Sequence, residues 1–266
     1  MQEINNGIIK TVRSLTAKKW RDAEGLFVAE GTKCVRDMWG AFPCRWLICT
    51  RAWHDRLANA TMIDKIVLAP SKQMARISQF TNPSDVIAVF EKPSYEPNPE
   101  QVRANLNLVL DNVQDPGNLG TIIRLADWFG ITDIFASRET VDAFGHKVVQ
   151  ATMGALARVR VHYCDLQQLL EQYSDLPVWG TFLDGDNIYS AQFENRGFVV
   201  LGNEGQGIGA KVAAKVTKRL LIPAWPHQGA TSESLNVGVA AAIAISEFRR
   251  AELKNLHNFK TPQLHN

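Results

Sequence analysis

The chain after residue 105 alternates between short apolar segments and helical patterns. Strand-like segments such as LNLVLD, DIFAS and GFVVLG are separated by helix-like segments such as DLQQLLEQY. Strands that alternate with helices predict a mostly parallel sheet covered on both faces. In such sheets, ligands bind at the loops that follow the carboxyl ends of strands. A functional site is therefore expected at these loops.

A smaller α/β region precedes this alternation. The segments LFVAE, RWLICT, DKIVLA and DVIAVF are typical of short strands, and helical patterns separate them. Pro93, Pro97 and Pro99 then indicate an extended linker. The division we expect is an N-terminal domain over 1–92, a linker over 93–105, a C-terminal domain over 106–255 and a tail over 256–266.

The net charge of +2 is unevenly distributed along the chain. Residues 1–76 carry 13 Lys and Arg against 7 Asp and Glu, whereas the remainder carries 16 against 20. A basic N-terminal part fits a module that binds a polyanion. On charge alone, an ordinary solvated surface is equally compatible with this balance.

Several classes of protein are disfavoured by what the sequence lacks. The longest apolar run, at 237–245, is too short to span a membrane, and the first residues lack the features of a secretory signal. Cys34, Cys44, Cys49 and Cys164 form no CxxC pair and no zinc spacing. We therefore expect a cytoplasmic protein with free thiols, no bound metal and no membrane contact.

Three loops follow predicted strands and are rich in turn-forming residues. They read DNVQDPGNLG, LGNEGQGI and the stretch from Ile222 through AWPHQGATSE to SLNVGVA. The GxGxxG fingerprint directly after the first strand is absent, and so is GxxxxGK[ST]. Nicotinamide-dependent oxidoreductases and P-loop nucleotide triphosphatases are therefore disfavoured.

The same loops resemble a known family of enzymes. LDNVQDPGNLGTIIRLADWFG, LGNEGQGI and IP…ESLNVGVAAAIAISEFRR are similar, in this order, to the three motifs of the SpoU/TrmH family of RNA ribose 2′-O-methyltransferases. IIKTVRSLTAKKWRDAEGLFVAEGTKCVRDM is similar to the substrate-binding domain that precedes the catalytic domain in many members. The resemblance implies methyl transfer from S-adenosylmethionine to a ribose 2′-hydroxyl in RNA, ribosomal RNA before transfer RNA. It further implies a small α/β RNA-binding domain, a C-terminal α/β domain with a deep trefoil knot, and a homodimer.

The resemblance also implies two sets of site residues. The positions that match catalytic or substrate-contacting residues are Asn118, Arg124, Glu204, Ser234 and Asn236. The positions that match the cofactor site are Leu183, Gly202, Asn203, Gly207, Ile222 and Leu235.

The two residues of the first motif also have structural interpretations. We expect a helix from Gly120 to Phe129, with Asn118 and Gly120 shaping the turn before it, and Asn118 could be its N-cap. Arg124 lies three residues before Asp127, which is the spacing of a surface ion pair. If Arg124 is functional, it should stabilise the developing alkoxide or hold a phosphate, because a guanidinium stays charged in proteins and is a poor general base.

The second and third motifs leave similar alternatives open. Glu204 follows a buried strand, where a carboxylate could be held for structural reasons alone. Ser234 could cap the last helix, which we expect from about Ser234 to Leu253.

One segment departs from the family pattern, because ten residues (224–233) lie between IP and SLN, where the family has a shorter loop. Trp225 in this insertion could stack on an RNA base or pack against the protein. Two functions therefore remain as alternatives to ribose methylation. They are non-catalytic RNA binding and methylation of a base by a related knotted enzyme.

Overall fold

The computed structural model describes residues 2–56, 65–225 and 234–255. The chain forms two compact units, each built around one sheet. The first unit comprises Met1–Tyr95, Asp115–Arg124 and Val141–Arg160, and the second comprises Glu96–Gln114, Leu125–Thr140 and Val161–Asn266. No helix in the described ranges is long and apolar enough to cross a membrane.

The secondary structure confirms the predicted α/β class. The strands are β1 (Gln2–Glu3), β2 (Leu26–Glu30), β3 (Cys44–Cys49), β4 (Ile66–Leu68), β5 (Val86–Glu91), β6 (Leu106–Leu110), β7 (Asp133–Ala136), β8 (Arg160–Tyr163), β9 (Val178–Phe182), β10 (Asp186–Asn187), β11 (Gly197–Leu201) and β12 (Lys218–Leu221). The helices are α1 (Asn6–Ser14), α2 (Lys18–Glu24), α3 (Thr32–Met38), α4 (Arg51–His54), α5 (Ser71–Ile77), α6 (Pro99–Ala104), α7 (Pro116–Trp128), α8 (His146–Ala151), α9 (Leu166–Gln172), α10 (Ala210–Ala213) and α11 (Val237–Asn255), with a 3-10 helix at Ala155–Ala157.

The first unit contains a mixed five-stranded sheet in the order β1-β4-β3-β5-β2. Strand β5 runs antiparallel to β2 and β3, whereas β4 is parallel to β1 and β3. Helices α1 and α5 contact each other and share one apolar cluster with this sheet. Their buried residues in that cluster are Ile8, Ile9, Val12, Met74 and Ile77. These positions recur at helical spacing, so one side of each helix is buried and the other faces water.

Two buried charged side chains of the first unit, Arg21 and Glu30, have hydrogen-bond partners within it. The Arg21 guanidinium donates to Oδ2 of Asp142 at 2.8 Å and to the carbonyls of Leu15 and Thr16. The Glu30 carboxylate accepts from the backbone N–H of Gln79 at 2.9 Å. These partners offset the cost of removing the charges from water.

Glu30 is enclosed by further polar groups. It accepts from the hydroxyls of Ser78 and Ser84, and Nε2 of His146 lies 3.5 Å from its Oε2. Burial raises the pKa of Glu30, but the nearby His146 ring and the hydrogen bonds from Ser78 and the backbone lower the pKa by more. The net pKa lies below the ordinary value of a glutamate.

The second unit contains a seven-stranded sheet in the order β10-β12-β9-β11-β6-β7-β8. Every pairing in it whose register is defined is parallel, which confirms the mostly parallel sheet that the alternation predicts. Phe198 and Val200 of β11 lie in a fully buried cluster with Phe135 of β7. The trefoil knot stays a prediction.

Helix α7 begins earlier than predicted, at Pro116 instead of Gly120. Proline is favoured in the first turn, where its missing N–H would have no helical partner. Oδ1 of Asp115 accepts the backbone N–H of Asn118 at 2.8 Å. Asp115 is therefore the capping residue, and the interpretation of Asn118 as the N-cap is wrong. Both Asn118 and Gly120 lie inside the helix and do not shape a turn before it.

The second half of the predicted extended linker is also helical. Asn98 caps α6 by accepting the N–H groups of Glu100 and Gln101, and Pro99 occupies the first helical position. Val102 is completely buried in the second unit. Pro99 thus marks a helix start, because an asparagine cap and a buried apolar residue accompany it.

The four cysteines are free thiols, as the sequence predicts. Burial raises the pKa of Cys34, Cys44, Cys49 and Cys164 to about 11. They are therefore protonated and poorly nucleophilic at neutral pH. Among the residues that the structure describes, no group of three His, Cys, Asp or Glu could hold a metal ion.

Candidate functional site

A cleft of about 490 Å³ opens in the second unit where three parallel strands end. Its walls follow β9, β11 and β12, and the segment before α11 closes it. This is the edge of the sheet at which the strand pattern predicts a ligand. The predicted site residues that line it are Leu183, Gly202, Asn203, Glu204, Gly207, Ile222, Ser234 and Leu235.

The loop after β11 is a tight turn that Gly202 makes possible. Asn203 and Gly207 exchange two backbone hydrogen bonds of 3.0 and 2.8 Å. A Cβ on Gly202 would lie 2.3 Å from the carbonyl carbon of Gly207 and 2.4 Å from the nitrogen of Ile208. Gly207 has a φ of +69°, which glycine adopts at little cost. Gly202 therefore allows the two sides of this turn to approach each other closely at the wall of the cleft.

The Asn203 side chain organises the turn. Its Oδ1 accepts the N–H groups of Gly205 and Gln206, at 2.9 and 3.0 Å. Its Nδ2 donates to the carbonyl of Asn112 at 2.9 Å. The side-chain amide of Asn203 is thus engaged in bonds within the protein. The bond to Asn112 connects the loop after β11 to the loop after β6.

A second bond, which no sequence motif indicates, joins the same two loops. Oδ2 of Asp111 accepts the N–H of Gly209 at 2.7 Å. Asn112 has a left-handed φ of 59°, and its N–H donates to the Ser137 hydroxyl at 3.0 Å. Asparagine tolerates this conformation better than most residues. The only local signal for these roles is the position of both residues at a strand end.

The wall that follows β9 is supported by Arg219. Its guanidinium lies 3.5 Å from the centre of the Phe182 ring and pairs with Asp184. Gly185 has a φ of +144°, and a Cβ there would lie 2.6 Å from the Arg219 carbonyl oxygen. Phe182 and Asp184 both line the cleft, so Arg219 contacts two residues of this wall.

Helix α11 begins at Val237, and the predicted start at Ser234 is wrong. Oδ1 of Asn236 accepts the N–H groups of Gly238 and Val239, at 2.9 and 3.2 Å. Asn236 is therefore the cap that was considered for Ser234. The Ser234 hydroxyl instead lies 3.4 Å from the carbonyl of Glu204, at the rim of the cleft. The predicted end at Leu253 is close to the observed end at Asn255.

Asn118 and Arg124 belong to the first unit and lie on α7. Arg124 is exposed and makes no hydrogen bond or ion pair with any described residue. The alternative of a surface pair with Asp127 is therefore wrong. Its guanidinium is available to an external group.

The composition of the cleft indicates what it could hold. Its described lining contains two carboxylates, Asp184 and Glu204, and no Lys, Arg or His. Apolar side chains such as Ile222 and Leu235 accompany the glycine backbone. This lining suits a ligand with an apolar ring and a positive charge, and it disfavours a phosphate-rich cofactor.

The insertion of residues 224–233 is described only in part. Trp225 is 82% exposed. Pro226, His227 and the rest of the insertion lie outside the described residues. The stacking role considered for Trp225 stays a prediction.

Comparison with known proteins places this geometry in a family. The profile of the SpoU rRNA Methylase family matches residues 105–246, and that of the MRM3-like substrate binding domain matches residues 6–88. The Bacillus subtilis 23S rRNA (guanosine(2553)-2′-O)-methyltransferase RlmP is 26% identical over 255 residues, which cover 94% of this chain and 98% of that protein.

Solved structures agree with these matches. A protein of the TrmH family from Porphyromonas gingivalis has 43% identity and a TM-score of 0.83, with 93% of this chain and 98% of that chain covered. An AdoMet-bound rRNA methyltransferase from Sinorhizobium meliloti has 29% identity and a TM-score of 0.80, with coverage of 94% and 97%. With its cleft built from the second and third motifs, the chain belongs to the SpoU rRNA methylase family.

Proposed function

We propose that this protein transfers a methyl group from S-adenosylmethionine to the 2′-hydroxyl of a ribose in RNA, with ribosomal RNA ahead of transfer RNA. The cleft carries this proposal, because its described lining combines glycine backbone, apolar side chains and carboxylates without a cation. When bound, S-adenosylmethionine supplies a methyl group activated by a positively charged sulfur. The similarity to RlmP supports ribosomal RNA as the substrate.

The cofactor-binding residues that we propose are Leu183, Gly202, Asn203, Gly207, Ile222 and Leu235. The turn at Gly202 and Gly207 offers backbone groups, and Leu183, which is 75% exposed, would be covered by a bound ligand. Asn203 contributes through the shape of the turn, because its side-chain amide is engaged internally.

Arg124 carries the proposed chemistry at the ribose. Its guanidinium remains charged, so it stabilises the developing negative charge on the 2′-oxygen or grips a neighbouring phosphate. Asn118 stands on the same helix, whose geometry fixes the spacing between the two side chains.

Glu204, Ser234 and Asn236 complete the proposed set. The Glu204 carboxylate and the Ser234 hydroxyl both line the cleft, where they could accept from and donate to sugar hydroxyls. Asn236 caps α11 and thereby holds the preceding residues at the rim.

Methyl transfer to RNA tests the proposal directly. Unmodified ribosomal RNA is incubated with the protein and labelled S-adenosylmethionine, and the RNA is then digested to nucleosides. We expect the label on ribose. Label on a base would support the base-methylating alternative, and cofactor-independent RNA binding without transfer would support a non-catalytic RNA-binding protein.

We further propose a cytoplasmic homodimer with an RNA-binding domain over 1–92 and a catalytic domain over 106–255. The two family profiles, at 6–88 and 105–246, support the domain limits. Val239 and Leu253 are about half exposed and lie about four turns apart on α11, which supports an apolar contact between subunits. Light scattering after gel filtration measures the oligomeric state.

A further inference from the structure

Helices α1 and α5 present a basic surface to solvent in the first unit. They pack beside each other on the same face of the sheet, with Ile8, Val12 and Met74 buried beneath them. The exposed side of α1 carries Lys10 and Arg13, three residues apart, and that of α5 carries Lys72 and Arg76, four residues apart. Both spacings place the paired side chains on one side of a helix. We call these four residues the basic helix surface.

The charges of the basic helix surface are not neutralised within the described part of the protein. None of the four cations makes a hydrogen bond or an ion pair with a described residue. Neither helix sequence, NGIIKTVRS or SKQMARI, contains a carboxylate. A surface that serves only solubility usually mixes the two signs, which favours a role for these charges in binding.

Several other cations of the same unit are paired with carboxylates. Lys18 and Lys92 both pair with Asp22, and Arg56 pairs with Asp85. The unit therefore contains carboxylates that neutralise cations elsewhere, whereas α1 and α5 have none.

The surface also lacks the apolar groups that a protein partner would need. The large apolar side chains of α1 and α5 are buried, and no exposed large hydrophobic residue is found on either helix. Protein interfaces are organised around apolar or aromatic anchors, whereas nucleic-acid surfaces are dominated by Lys and Arg contacts to phosphates. The charge pattern therefore matches a polyanion better than a protein.

We propose that the basic helix surface docks the phosphate backbone of the RNA substrate. The inference rests on the proposed function, because RNA is the polyanion which that function supplies. Lys and Arg that contact phosphates carry no sequence information, so this surface contributes affinity and register, and the nucleotide is selected by other residues.

Paired alanine variants of the full-length protein test the proposal. The variants are Lys10→Ala/Arg13→Ala, Lys72→Ala/Arg76→Ala and the combination of all four. Alanine favours helices and the side chains are exposed, so the fold should be retained. The matched control is Lys33→Ala/Arg36→Ala on α3, which removes two cations from a helix outside the α1–α5 cluster.

The readout is the binding of unmodified large-subunit ribosomal RNA, transcribed in vitro, at several salt concentrations. Each lost phosphate contact lowers the slope of log K against log salt by roughly 0.7 to 0.9. We expect each double variant to lower the slope by about 1.4 to 1.8, and the fourfold variant by about twice that, with at least about tenfold weaker binding near 0.1 M salt. The α3 control should keep the wild-type slope.

Two results would overturn the proposal. One is an unchanged slope in the fourfold variant, and the other is an equal loss in the α3 control, which would indicate a general effect of net charge. Thermal unfolding and S-adenosylmethionine binding are measured in parallel to confirm that each variant is folded. Failure of the proposed function would instead appear as absent methyl transfer by the wild-type protein, whether or not the surface binds RNA.

Discussion

Replacing Gly202 by alanine should abolish tight cofactor binding while leaving the rest of the fold intact. The added Cβ would lie 2.3 Å from a backbone carbon and 2.4 Å from a backbone oxygen and a backbone nitrogen across the turn. Carbon atoms in contact are normally about 3.5–4.0 Å apart, so the backbone on the other side must retreat by more than about 1 Å. That movement breaks the two hydrogen bonds between Asn203 and Gly207.

The size of the effect follows from these contacts. Overpacking costs about 1–3 kcal/mol, and a lost hydrogen bond costs about 1 kcal/mol. With two such bonds lost, we expect the closed turn to be destabilised by about 3–5 kcal/mol, which raises the Kd for S-adenosylmethionine by about 150- to 4,000-fold.

Isothermal titration calorimetry with S-adenosylmethionine measures this change, and thermal unfolding checks the fold. Gly205→Ala is the matched control, because the nearest atom to its added Cβ is Oδ1 of Asn203 at 3.6 Å and its φ is not positive. The control should bind within about threefold of the wild type. The reasoning would be refuted by near-normal affinity in Gly202→Ala, or by equal weakening in the control.

Three further predictions concern other residues. Arg124→Ala should reduce kcat by at least about 100-fold with unchanged cofactor affinity. Arg124→Lys should restore little of the lost kcat, because a lysine cannot reproduce the fork-shaped donor. Equal losses in turnover and cofactor binding would contradict this role. Asn203→Ala removes three hydrogen bonds and should weaken cofactor binding about tenfold or more. A calorimetric Kd equal to that of the wild type would show that the turn does not need the Asn203 side chain. Because the pKa of Glu30 lies below its ordinary value, its contribution to stability is present above about pH 4.5 and is lost as the pH falls through the lowered pKa. The Glu30→Gln variant should therefore be less stable than the wild type at pH 7, by about 2–4 kcal/mol. In urea titrations, it should also lose less stability than the wild type between pH 5 and pH 3. If the stability of both proteins falls equally with pH, the Glu30 carboxylate is not the source of the pH dependence.

The cleft was predictable because its signals are local in sequence. Glycines directly after an apolar strand indicate a backbone that approaches a ligand, and parallel strands present such loops at one edge. Gly202 and Gly207 could be placed there from this pattern alone, whereas Ile222 was placed by the resemblance to the family.

The errors arose where one residue type serves two structures. Asp115 and Pro116 suit a turn as well as a helix start, and the turn is the structure that the sequence pattern predicts. Asn98 and Pro99 likewise suit an extended linker as well as a helix start, so α6 was not predicted. In each case, the tertiary environment decides, because burial of an apolar face stabilises the helix.

The supporting contacts behind the cleft could not be predicted at all. Asp111 reaches Gly209, and Arg219 pairs with Asp184, across long separations in sequence. No period or motif marks a partner that another strand brings into place.

The order of strands in the two sheets has a consequence for how the protein is made. All five strands of the first sheet lie within residues 2–91, whereas β6 of the second sheet acquires its neighbour β11 only after the whole stretch from 111 to 196 has been synthesised. Parallel pairing over such separations slows folding, because the long connecting loop loses conformational entropy before the strand contacts form and stabilise the chain. The N-terminal sheet can be complete while the rest of the chain is still on the ribosome. A newly made molecule thus acquires its cleft last, and under the proposed function affinity for S-adenosylmethionine reports that β11 has been inserted between β6 and β9.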